Sequence, residues 1–136
     1  MPLENLDQVT DLSSITPADI DRIGYVYAQK FADDGRNGVK TTQLRNFYSA
    51  VVSIRTKFRS ERKVTPQIER ALILLKPKLA YAAGRQNKVK PFYDLMKKAI
   101  DATVSVNETN KALALQNLFS ITEAIVGYHK FLDPKN

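Results

Sequence analysis

The 136-residue chain has no cysteine, no tryptophan, one histidine and only five glycines. Each shortage closes a class of function. Without cysteine there is no disulfide and no thiolate metal site. With His129 as the sole histidine, a metal held by two histidines of one chain is excluded. The few glycines form no phosphate-cradling loop, and no nucleophile elbow or dinucleotide fingerprint occurs. The six prolines are dispersed, which argues against a low-complexity linker. No apolar run approaches the ~18 residues of a membrane span. The opening MPLENLDQVTDL is acidic and lacks the charged-then-apolar order of a signal peptide, so a cytoplasmic protein is expected.

What the chain does have is positive charge, unevenly placed. Residues 1–34 carry seven acids against Arg22 and Lys30, a net charge of −5. Residues 35–98 carry sixteen Lys or Arg against Glu61, Glu69 and Asp94, a net charge of +13. The remainder comes to −1. A basic middle between acidic ends points to a localised electropositive surface, for which a nucleic-acid backbone is the natural partner. The cations are spread over several segments and build no basic amphipathic helix of the membrane-surface kind, so no membrane partner is expected.

Periodicity predicts an all-α protein, a compact bundle of about five helices. Residues 1–15 show no period and read as an extended or loosely ordered arm; residues 16–136 read as a single helical domain. Thr16-Pro17 opens the first helix, with Ile20, Ile23, Tyr27 and Phe31 on one face. Asp33 to Gly38 ends it, the two acids being read as solvated. Thr41 or Thr42 starts the second helix, whose core stripe is Leu44, Phe47, Tyr48, Val51, Ile54 and Phe58. The charged run Arg59 to Lys63 reads as a loop. Thr65-Pro66 opens a third helix, in which Pro77 predicts a kink or short break. A fourth starts at Lys90-Pro91, with Phe92, Leu95, Met96, Ala99, Ile100 and Thr103 inward. The fifth runs from about Glu108 to Phe131, with an apolar arc wide enough for the most buried helix or for one that also packs on a partner.

The third helix, QIERALILLKPKLAYAAGR, organises the rest. Ile68, Leu72, Leu75, Leu79 and Ala82 form its core stripe. Lys78, Tyr81 and Arg85 share a different face. Either Tyr81 packs on a neighbouring helix with two solvated cations, or the three present a cation–aromatic–cation face to a polyanion. On the second helix, Arg45 and Arg59 flank the small Ser49 and Thr56, a surface that a phosphate backbone can follow closely. Arg55 lies near the core stripe and needs a partner, while Lys57 points the other way.

Catalytic chemistry is absent from the pattern. The acids of the basic middle are far apart in sequence, which argues against a two-metal nuclease. His129 has no nominated orienting carboxylate and reads as a packing or dipole-compatible residue. No cofactor and no metal site are predicted.

Three blocks carry a family resemblance: TTQLRNFY (Thr41 to Tyr48), LKPKLAYAAGR (Leu75 to Arg85) and YHKF (Tyr128 to Phe131). In this order they resemble the small subunit of the Csm complex, the type III-A CRISPR–Cas effector, from about residue 16 onward. The resemblance implies a small helical, non-enzymatic subunit that stacks as a filament beside the backbone subunits holding the CRISPR RNA. It further implies that the subunit helps hold the duplex of guide and target RNA, with cleavage left to other Csm subunits. Carried over by position, Arg45, Lys78, Tyr81, Arg85 and Lys130 are the RNA-binding candidates. Arg55, Lys57 and Arg59 join them on charge alone. The competing reading is a free-standing helical DNA-binding protein of nucleoid type, using the same phosphate contacts without a ribonucleoprotein.

Overall fold

Two threonine–proline pairs start helices in the way their chemistry dictates. The Thr16 hydroxyl accepts from the Asp19 N–H at 3.1 Å, and the Thr16 N–H donates to the Asp19 carboxylate at 2.9 Å. This reciprocal box satisfies two donors that a helix start otherwise leaves open. The Thr65 hydroxyl accepts from the Ile68 N–H at 3.2 Å in the same manner. In the computed structural model, which describes residues 1–32, 41–85 and 89–132, five helices follow one another. They are α1 (Pro17–Ala32), α2 (Thr41–Glu61), α3 (Pro66–Arg85), α4 (Lys90–Val104) and α5 (Glu108–Leu132). No strand occurs among the described residues. The expected helix end at Asp33 to Gly38 lies outside them.

Most positions of the predicted inner faces are buried, while Ile20 of α1 and Tyr48 of α2 are half-buried. All six α4 positions named from periodicity are buried, and so are Ala114, Leu118, Ile121 and Ile125 of α5. Each of the large apolar side chains among them contributes roughly 1.5–3 kcal/mol relative to exposure. Phe92, 1% exposed, joins three helices: its ring meets Phe31 of α1 edge-on at 5.4 Å and Phe47 of α2 at 5.2 Å. His129 is buried at 1% exposure, with no hydrogen-bond partner for Nδ1 among the described residues.

Four expectations change. Residues 1–15 are packed, not loose: they bury Leu6, Leu12 and Ile15 and form a short 3-10 helix, Leu12–Ser14, against α5. Polar ties hold the segment down. Asn117 of α5 donates to the Leu12 carbonyl at 2.9 Å, Ser105 donates to the Thr10 carbonyl, and Lys98 of α4 pairs with Asp7. The charged run after Phe58 is helical to Glu61; the chain turns only at Arg62, whose φ of 61° is left-handed. On α3 the core stripe ends on Ala83, not Ala82, which is half-buried beside it. Finally, of the two outcomes expected at Pro77, the short break does not occur: α3 runs on through it. Pro77 is exposed and Ile73, whose carbonyl loses its donor, is 41% exposed, so water can take that acceptor.

Candidate nucleic-acid interface

The α2/α5 seam is built by an aromatic floor and a polar rim. Phe58 and Phe119 meet at 6.2 Å between ring centroids, and both are buried. Over them lies a groove of about 250 Å³ lined by Arg55, Arg59, Gln116, Ser120 and Glu123 with the two rings. Arg55 donates to Glu123 at 3.0 Å, which answers its need for a partner beside the core stripe. Arg59 is exposed and has no carboxylate partner among the described residues.

Arg55 meets Glu123 and Phe58 meets Phe119, so positions fall on α5 as they rise on α2, and the helices are antiparallel. Carried along the seam, the same register sets Lys130 level with Tyr48, one turn from Arg45. Arg45 and Lys130 are both exposed. Arg55 and Arg59 line the groove together with the Glu123 carboxylate, while Arg45 and Lys130 lie nearer the other end of the two helices.

Lys57 does not belong to this surface. Two residues from Arg59, it projects about 160° away around α2. A second groove, about 240 Å³ and mainly apolar, runs between α2 and α3 and is lined by Asn46, Phe47, Ala50, Leu75, Lys78, Leu79 and Ala82. Lys78 therefore stands at the α2/α3 groove, and Tyr81 and Arg85 continue outward from it on α3. Tyr81 is 69% exposed, which decides against a core role. The Arg85 guanidinium lies 5.9 Å from its ring centroid, within cation–π range. Of the eight residues singled out from sequence, the structure brings Arg55 and Arg59 together in the α2/α5 groove, puts Lys78 at the α2/α3 groove, and pairs Tyr81 with Arg85.

The acidic end of the chain is largely self-engaged. Glu4 pairs with Arg22 at 2.9 Å, Asp7 with Lys98, and Asp21 accepts from the Tyr128 hydroxyl. The Leu3 N–H, followed by the Thr16 N–H, holds the Asp19 carboxyl below its ordinary value. The Asp7 carboxylate, hydrogen-bonded to Lys98, raises that ammonium above the ordinary lysine value. By contrast Arg45, Lys57, Arg59, Lys78, Arg85 and Lys130 have no carboxylate partner among the described residues. The free charge of the surface is positive even where the formal count is mixed.

Three interhelical ion pairs escaped sequence reasoning. Besides Arg55–Glu123 they are Lys76–Asp101 at 2.6 Å and Lys111–Glu69 at 3.1 Å, the last with Lys111 only 8% exposed. Their signal is tertiary, because the partners lie 25 to 68 residues apart. Among the described residues, no group of three or more His, Cys, Asp or Glu side chains is placed to hold a metal ion. No described helix is long and apolar enough to cross a membrane.

Comparison with known proteins adds one match. The family model described as Csm2 Type III-A matches residues 17–135. No curated protein and no solved structure matches the chain.

Proposed function

Because the chain belongs to the Csm2 type III-A family, and so to the subunits of the type III-A CRISPR effector, we propose that it is that complex's RNA-binding scaffold subunit. The family is a structural, non-catalytic one, and we extend that role to this chain. In this role the protein stacks with copies of itself, works in the cytoplasm beside the other Csm subunits, and helps hold the duplex of CRISPR RNA and target RNA. Arg45, Arg55, Arg59 and Lys130 supply phosphate contacts along the α2/α5 seam. Lys78, Tyr81 and Arg85 supply a second set from α3, with Lys57 on the same side of α2.

The family match over residues 17–135 carries the proposal. The cations without carboxylate partners support it, because phosphate contacts need charge that is not already neutralised. Such contacts fix position without reading sequence, which suits a subunit that must accept any guide.

Co-purification of the tagged chain from its native host tests the assignment. The expected result is recovery of CRISPR RNA with the other Csm subunits; recovery of bulk DNA without them would defeat it. Binding of RNA by the isolated protein should be weak and independent of sequence. With roughly 3–5 phosphates contacted, log K should fall against log salt with a slope of about −2 to −3.5. Affinity that is flat from low to physiological salt would exclude phosphate-dominated binding.

A further inference from the structure

α3 presents one uninterrupted exposed row: Arg70, Leu74, Lys78, Tyr81 and Arg85. Steps of four, four, three and four residues keep side chains on one helical face. The row is about 22 Å long at 1.5 Å per residue. Along it cations alternate with apolar groups, Leu74 being 43% exposed and Tyr81 69%. The Arg85 guanidinium over the Tyr81 ring steadies that ring and leaves most of it open to solvent. The one acid of α3, Glu69, is turned away to Lys111 of α5. No carboxylate among the described residues pairs with Arg70, Lys78 or Arg85.

We infer that this row binds an unpaired stretch of RNA, with a base stacked on Tyr81 and flanking phosphates held by Lys78 and Arg85. The inference rests on the RNA-binding reading above and narrows this face from duplex to single strand. A duplex offers phosphates, but its base faces are occupied by their own stack. An exposed aromatic ring between two cations adds a contact that only an unstacked base can use. Stacking accepts every base, so this contact is blind to sequence, as a guide-independent subunit requires. Leu74 extends the apolar surface one step beyond Lys78, where a neighbouring base can lie.

The test titrates the full-length protein with a short oligouridylate, an RNA duplex, and an abasic single strand of equal length. Tyr81→Ala should weaken oligouridylate binding about 5- to 150-fold, the range of one lost base–aromatic stack. It should leave duplex and abasic binding and every salt slope unchanged, and Tyr81→Phe should restore affinity. Lys78→Gln should weaken all three ligands and flatten the single-strand slope by about 0.7. Equal losses on duplex and single strand, or no loss on oligouridylate, would overturn the inference while leaving the RNA reading intact. Wild-type protein that binds none of the three RNAs would defeat the RNA reading and this row with it. Intact RNA affinity with impaired recovery of other Csm subunits would overturn it in favour of a protein occupant.

Discussion

Gly24 of α1 and Ala124 of α5 meet so closely that a Cβ on residue 24 would lie 2.5 Å from the Cβ of Ala124 and 3.2 Å from its backbone carbonyl carbon. Neither neighbour is the flexible end of a side chain, so a methyl group there must push the helices apart. Gly24→Ala should destabilise by about 1–3 kcal/mol, outweighing the ~1 kcal/mol that alanine gains in helix propensity. Gly127→Ala is the control: its Cβ would meet nothing within 4 Å, and it should stabilise by about 0.5–1 kcal/mol. Thermal unfolding of the two variants should therefore shift in opposite directions, and a parallel shift would contradict the contact.

Asp19 ties the N-terminal segment to α1 through the N–H groups of Leu3 and Thr16. Both bonds favour the carboxylate, so its folded value lies below the ordinary 3.8. Its contribution to stability is whole above pH 3.8 and is lost as pH falls through the depressed value. The protection of the Leu3 amide, its exchange rate taken relative to the unstructured peptide at the same pH, should fall in that acid window. Asp19→Asn should lower this protection at neutral pH and remove its change with pH in that window. An unchanged pH profile in the variant would show that another group governs the segment.

Pro77 sits within a continuous, solvent-facing stretch of α3. Pro77→Ala should restore the missing donor and hold or raise the melting temperature, with an upper bound near the ~3 kcal/mol that separates the two residues in helices. A marked drop would mean that the proline shapes a packing geometry that alanine cannot supply.

Glu123 competes with phosphate for Arg55 across the α2/α5 groove. Glu123 is 63% exposed at its side chain, so the pair is worth only about 0.2–1 kcal/mol. Glu123→Gln should thus raise RNA affinity about 1.5- to 5-fold and steepen the salt slope, with little change in melting temperature. Unchanged affinity and slope would remove Arg55 from the RNA-binding set.

What could be read from the sequence was what is decided within a few residues. Thr16-Pro17 and Thr65-Pro66 marked helix starts because a cap and a fixed φ act locally. Asn107 likewise caps α5, accepting from the Asn110 N–H at 3.1 Å. The burial of Leu6, Leu12 and Ile15 was not legible, because a segment without regular structure has no period to betray its inner face. Tyr81 was legible as lying off the core stripe, but its exposure depended on which helices cover α3. The separation of Lys57 from Arg59 followed from helical geometry alone. That α3 borders one flank of α2 and α5 the other is a property of the assembled bundle.

The ties of the N-terminal segment also set a timetable for synthesis. Leu12 is held by Asn117, 105 residues later, and Asp21 by Tyr128, 107 residues later. At about 5–20 residues per second, a ribosome needs on the order of 5–20 s to make the intervening chain. During that interval Leu6, Leu12 and the inner face of α1 have no α5 to cover them. Until then residues 1–34 carry a net negative charge with their apolar contacts unfilled, and like net charge opposes self-association. Closure of this core therefore waits for α5 to be made.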